Sequence, residues 1–558
     1  MHRREFLQAL ALASISGSLT APALAGNSSP LYRLQERRGV ASLIHLTDCH
    51  AQLLPVHHRE PGINIGVGKS AGRPAHLTGE ALLRHYGLRR GSRLAHAFTH
   101  LDFEELARRY GKMGGFAHLA TLVKLIQSQR PGAILVDGGD SWQGSATALW
   151  TRGSDMVAAN KLLGVKVMTG HWEFTLGAER VMELVQRDML GSIDFLAHNI
   201  FTRDFGDRVF SPYVIKEING MEIAIIGQAY PYTPIANPPH LIPDWTFGIH
   251  ERSLRDTISE IRRLRVAAIV LLSHNGVDVD LKLASRVEGL TAILGGHTHD
   301  ALPKPIRIRN EGGETLVVNG GSNGKFIGVL DIFFSHGKTA CDYSLMPVFS
   351  NLLEPDAEMA ALVAQIRQPF EQSLGQVLAV TDDLLYRRGN FNGSFDELIL
   401  ESLQQTLDSE IALSPGFRWG TTLLPGANIT FEDVMAQTAI TYPEIAVREL
   451  TGAEIKSAME DVADNLFNPD PYYRQGGDMV RIRGLSYSLA AAGAAGRRIT
   501  ELRIRGEPLD ADKHYRVASW ASVAQIDTHG TPVWNPIQEY LGSRKVIRVD
   551  SVNTPKLL

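Results

Sequence analysis

The feature that most constrains this chain is a series of short apolar runs, each ending in a polar loop. Residues 39–46 (GVASLIHL) stop at Thr47-Asp48-Cys49-His50, and residues 132–136 (GAILV) stop at Asp137-Gly138-Gly139-Asp140. Residues 166–168 precede Gly170-His171, and residues 222–226 precede Gly227. Residues 266–272 precede Ser273-His274, and residues 292–294 precede Gly295-Gly296-His297. Nearly continuous apolar runs of this length predict strands buried on both faces. Amphipathic helix patterns at 118–129 and 253–264 lie between them. Strands alternating with helices predict an α/β fold whose chemistry sits at the carboxyl ends of the strands.

A length of 558 residues exceeds one compact domain and predicts two large units. Residues 1–26 carry Arg3-Arg4, a mildly apolar stretch and Ala23-Leu24-Ala25, the pattern of a twin-arginine signal peptide. Such a signal predicts a periplasmic protein exported folded, around a metal or cofactor. Residues 38–350 make the metal-binding catalytic domain, with a long irregular insert at 57–113 that ends in a helix-like stretch at 103–110. Residues 351–375 form a linker helix. Residues 376–558 form a C-terminal substrate-binding domain, with helices at 396–407 and 452–465 and strands at 498–505 and 514–521. A net charge of -4 argues against a nucleic-acid or membrane partner. Two cysteines exclude a disulfide scaffold and a four-cysteine zinc ribbon. Cys49 and Cys341 are expected to stay unpaired.

The strand-end loops supply Asp48, His50, Asp140, His171, His274, His297 and His299. In Asp48-Cys49-His50, strand alternation would place Asp48 and His50 on one side. His297-Thr298-His299 has the same spacing. Two carboxylates and five imidazoles are too many for one tetrahedral zinc and suit two ions sharing a bridging carboxylate. The mixed oxygen and nitrogen donors suit Mn, Fe or Zn.

These loops, with Gly139-Asp140-Ser141-Trp142-Gln143-Gly144, Gly170-His171-Trp172-Glu173-Phe174 and Ser273-His274-Asn275-Gly276, resemble the 5′-nucleotidase branch of the dinuclear metallophosphoesterases. The resemblance spans nearly the whole mature chain. It implies an N-terminal four-layer αββα sandwich and a C-terminal α/β 5′-nucleotidase-like domain. It also implies that Asp140 bridges two metals, with Asp48, His50 and His299 at one and His171, His274 and His297 at the other. Nucleotidases read Gly-Asn-His-Asp or Gly-Asn-His-Glu where this chain has Gly170-His171-Trp172-Glu173. His171 takes the ligand position and Trp172 replaces the catalytic His, so Trp172 and Glu173 are the catalytic candidates. With residues 412–420 (ALSPGFRWG) and 476–480 (GGDMV), these departures look like the sulfur-oxidation thiosulfohydrolase family.

That resemblance implies two Mn2+ ions and cleavage of sulfate from a cysteine-S-sulfonate. The conjugate would ride on the swinging arm of a SoxYZ-like sulfur carrier, with the enzyme acting as a monomer. A sulfur leaving group is stable without a proton, so the loss of an acid at Trp172 is tolerable. Arg418 is the candidate grip on a sulfonate oxygen, because a guanidinium matches a tetrahedral oxyanion. Asn390 and Asp478 are further substrate-binding candidates, and the insert is expected to help form the carrier's docking surface or channel. The alternatives are a periplasmic 5′-nucleotidase or cyclic-nucleotide phosphodiesterase, and a non-catalytic metal-containing protein that binds the sulfur carrier.

Overall fold

A computed structural model describes residues 29–37, 39–335, 338–523 and 530–558. The signal pattern at 1–26 lies outside the described residues. Two six-stranded sheets face each other. In the first, strand Ala41–Leu46 lies between the antiparallel Phe326–Ser335 and the parallel Ile134–Asp137. Val165–Met168 and Asp194–Phe195 extend that parallel side. In the second, Met221–Gln228, Ala268–Ser273, Ala292–Gly295 and Gly313–Asn319 run parallel, with an antiparallel strand at each edge.

Side-chain alternation explains the layers. Leu43, Val136, Val270, Leu272 and Leu294 point into the space between the sheets. Their neighbours point outward: Ile44, Leu46 and Leu135 pack under helices Phe116–Gln129 and Ser154–Leu163. Ile269, Leu271 and Ile293 pack under Glu251–Arg262 and Val277–Arg286. Both faces of each strand are therefore covered, which is why the runs are continuously apolar. The result is the four-layer αββα sandwich.

The chain then passes through helix Ala357–Arg367, capped by Asp356. The predicted single linker helix breaks at Pro369. A 3-10 turn, Gln368–Phe370, follows, and Glu371–Leu374 is a separate short helix. Proline has no N–H to continue the ladder. Beyond it, sheets of three and four strands pack with helices Ser394–Thr406, Phe431–Thr438, Gly452–Leu466 and Trp534–Gly542 into a second α/β unit. Among the described residues no helix is long and apolar enough to cross a membrane.

Residues 57–113 are less irregular than their sequence suggests, with helices Gly79–Tyr86, Arg93–Phe98 and Phe103–Tyr110. They bridge the two units. Glu60 meets the buried Lys325 of the sandwich at 2.5 Å, while Thr422 N donates to His57 O at 2.8 Å. Val67 packs in the C-terminal core beside Phe391 and Met479.

Candidate metal centre and substrate cleft

The strand registers set the carboxyl ends level: Leu46 pairs with Asp137, Asp137 with Met168, and Gly295 with Ser273. Each loop then turns sharply. Asp48, His50, Asp140, His297 and His299 all have φ between 45° and 70°. The strand ends at Leu46, so Asp48 and His50 converge through left-handed backbone and not through strand alternation. Left-handed residues other than glycine cost roughly 1–2 kcal/mol each, and such conformations concentrate at functional sites. His297 and His299, despite matching spacing, go to different groups.

Asp140, His171, His274 and His297 form one cluster, and Asp48, His50, Asp140 and His299 the other. Within each, the ligand atoms lie within 4.8 Å of one another. Asp140 is common to both. Its carboxylate lies 3.1 Å from His171 Nδ1, 3.2 Å from His274 Nε2 and 3.6 Å from His50 Nε2. His299 Nε2 approaches Asp48 Oδ1 at 3.3 Å and His50 Nε2 at 2.9 Å. All seven residues are buried.

The donors fit a pair of divalent cations. His171 Nε2, both ring nitrogens of His297 and His299 Nδ1 have no partner among the described residues. Buried polar atoms are normally satisfied, and a bound cation or water would satisfy these. Burial pushes Asp48 up to about 6, with His274 and His50 opposing. Burial would also raise Asp140, but His171, His274 and His50 hold it well below the carboxylate range. Burial would lower His274, but Asp48 and Asp140 lift it to about 10, whereas burial keeps His297 and His299 well below. Supporting contacts aim the ligands: Thr47 Oγ1 donates to Asp48 Oδ2 at 2.6 Å, and His274 Nδ1 faces Gly138 O at 2.6 Å. Such contacts fix tautomer and ring orientation.

Glu173 is not placed to act on a substrate. Its carboxylate is fully buried and accepts from the backbone N–H of Ser141 and His171 at 2.7 Å, Asp140 at 3.2 Å and Trp142 at 3.3 Å. It ties together the two loops that carry Asp140 and His171, which replaces the catalytic role expected of it. Trp172 does face the cleft. Its ring lies 5.0 Å from His171, 5.4 Å from Phe417 and 5.2 Å from Trp419, and Trp419 in turn stacks on His50 at 5.8 Å.

The cleft above the clusters, of about 320 Å3, is walled by these aromatics, Tyr230, Arg418 and Asp478. Arg418 donates to Gly477 O at 2.5 Å and approaches Asp478 Oδ1 at 3.3 Å. Asn390 does not reach this cleft. Its Oδ1 accepts from Ile65 N at 2.6 Å, so it anchors the insert. None of residues 57–113 lines the cleft; the insert walls neighbouring cavities instead. The insert thus bridges the two units without walling the cleft itself.

Sequence reasoning missed Tyr230, whose ring lies 4.0 Å from His171 and 4.2 Å from His297. It follows the strand Met221–Gln228, and an aromatic in that loop carries no ligand signature. It also missed Gln143, which spans from His50 Nδ1 (3.3 Å) to Ala439 O (2.7 Å). Gly476 is required where it stands, because a Cβ there would sit 2.1 Å from His297 Nε2.

The family model for the 5′-nucleotidase C-terminal domain matches residues 377–528. The rat 5′-nucleotidase is 23% identical over 451 residues, covering 73% of this chain and 76% of that protein. A 5′-nucleotidase precursor from Thermus thermophilus shares the fold, with a TM-score of 0.73 at 22% identity over 93% of this chain and 99% of that one. Fold and site together define a hydrolase of the 5′-nucleotidase branch of the metallophosphoesterases, with a potential dinuclear metal centre. The SoxB sulfate thiohydrolase of Thermus thermophilus superposes with a TM-score of 0.87 at 36% identity, over 93% of this chain and 96% of its own. The chain belongs to the SoxB family.

Proposed function

We propose that this protein is a dimanganese thiosulfohydrolase. It releases sulfate from a cysteine-S-sulfonate presented on the arm of a SoxYZ-like carrier, during thiosulfate oxidation in the periplasm after folded export by the twin-arginine route. The observation that carries the reading is Trp172. An indole stands against the metal-side imidazole of His171, where the resemblance to nucleotidases calls for a proton-donating histidine. An alkoxide leaving group needs a proton; a sulfur anion does not.

Asp48, His50, Asp140 and His299 would hold one cation, and Asp140, His171, His274 and His297 the other. When bound, two divalent ions supply Lewis acidity toward a tetrahedral anion and acidify water. The chain's own residues do the rest. Arg418 presents a guanidinium to a sulfonate oxygen. Trp172, Phe417 and Trp419 exclude water and give an apolar wall to a slender arm. Glu173 and Thr47 keep the ligand loops in place.

The test is sulfate release from an S-sulfonated cysteine carrier or peptide by manganese-loaded protein, with AMP in parallel. Sulfate without phosphate is expected. Phosphate without sulfate returns the protein to nucleotide hydrolysis.

A further inference from the structure

Behind the His297 wall of the cleft lies a second, smaller cavity of about 60 Å3. It shares His297, Arg418, Gly476 and Asp478 with the main cleft and runs on to Arg388 and Arg474. It is large enough for a few water molecules. Its lining mixes apolar side chains such as Val277 and Leu466 with polar groups that are incompletely satisfied. Arg388 is only 6% exposed; its Nη2 donates to Thr298 O at 3.0 Å, while Nε has no partner among the described residues. Arg474 spends Nη1 on Asp278 and leaves Nη2 unpartnered.

The carboxylates around the cavity are already engaged. Asp278 serves Arg474 and His76, and Asp478 serves Arg418 and Arg481. Asp300 accepts from Asn64 at 2.9 Å and stands 3.9 Å from Arg388. What is left over is donor capacity: two guanidinium N–H positions that remain charged at any working pH.

We propose that this cavity is a second binding site for a tetrahedral oxyanion. It receives the sulfate product across Arg418 while the carrier arm still fills the main cleft. Naming the anion as product sulfate rests on the thiosulfohydrolase reading; the anion site itself does not. Arg418 lines both spaces and is the point of transfer. An anion formed beneath an inserted arm has its way out through the mouth blocked, and the guanidinium of Arg388 gives it somewhere to go.

The experiment is a crystal of the manganese-loaded full chain soaked in selenate and mapped at the selenium edge. Calorimetric titration with sulfate accompanies it. Two selenium positions are expected, one over the metal clusters and one within hydrogen-bond distance of Arg388 Nε. Arg388→Met removes the second position and leaves the first and the metal content unchanged. It weakens sulfate as a product inhibitor by about tenfold, as loss of one charge-assisted bond does. Arg388→Lys, which keeps the cation, retains a weakened second position and guards against a folding defect. A single selenium position in the wild type, or a second that survives Arg388→Met, overturns the proposal. A wild type that releases no sulfate from the conjugate sinks the thiosulfohydrolase reading, yet the selenate map still decides the cavity.

Discussion

Replacing Glu173 by Gln separates a holding role from a chemical one. The carboxylate accepts from Ser141 N and Trp142 N on one oxygen and from His171 N and Asp140 N on the other. An amide keeps one acceptor oxygen and turns an NH2 donor toward the other pair. Whichever way it sits, one of the 2.7 Å bonds is unmade and two buried N–H groups lose their acceptor. At about 1–3 kcal/mol per unsatisfied buried group, the cost is about 2–6 kcal/mol, a large part of a typical protein's stability. The loss is expected in two places. Urea unfolding of the metal-free variant shifts to lower denaturant, and manganese affinity falls about tenfold for each 1.4 kcal/mol carried by the Asp140 loop. With manganese saturating, kcat stays within several-fold of wild type. If Glu173→Gln unfolds like the wild type and binds both ions equally well but turns over about a thousandfold more slowly, the backbone-holding account is wrong and Glu173 acts on the substrate.

Trp172→His should slow sulfate release and give measurable hydrolysis of AMP; wild-type sulfate release with no AMP cleavage would show that the leaving group does not explain the tryptophan. Manganese titration should find two ions per chain in the wild type, one in His299→Ala, and weakened binding at both positions in Asp140→Asn. Chelation should lower the melting temperature, since ions at about a hundredfold above their dissociation constants add about 3 kcal/mol. Burial raises buried Asp280 to about 7, although Ser273 and Asn275 donate to it. The native state therefore holds a proton that the unfolded chain has released. This stability is full below about pH 4 and is lost as pH rises to 7, by about 4 kcal/mol at most. Asp280→Asn should flatten that slope in urea titrations of the metal-free protein, and an unchanged slope would clear Asp280 of responsibility. Finally, Lys325→Met leaves Glu60 buried without its cation and should cost about 3–5 kcal/mol, whereas Lys325→Met with Glu60→Leu should recover most of it. A double variant as unstable as the single would mean the pair does not latch the insert.

The sandwich was legible because both faces of its strands are buried. Leu43 and Ile44 point to different layers, yet both must be apolar, so the strand needs no partner to be recognised. The ligand residues were legible by type and place, as polar side chains directly after such strands. Their mode of convergence was not. Left-handed φ at Asp48, His50, Asp140, His297 and His299 leaves no mark in residue identity, and the division of His297 and His299 between two groups came from the family resemblance and not from their spacing. Glu173 was misassigned for a related reason. Its partners are backbone N–H groups, which every sequence has everywhere.

The insert shows where local reading stops. Val67 carries no pattern of its own, but it packs beside Phe391 and Met479 in the other unit. Asn390 looked like a cleft residue and instead receives Ile65 N. On the sandwich side, Lys325 Nζ reaches Glu60 Oε1, His58 O and Ala97 O, and the adjacent Asn323 N donates to Asp48 O at 2.7 Å. His58 Nδ1 and Asn323 Nδ2 both meet Gly420 O, the carbonyl next to Trp419, which stacks on His50. One continuous set of contacts thus joins the insert, a ligand loop and the aromatic wall of the cleft. The wall and the ligands come from different units, so the spacing between them is fixed only if something crosses the junction. Residues 57–113 supply that crossing, and this makes the insert part of how the cleft is shaped although none of it lines the cleft.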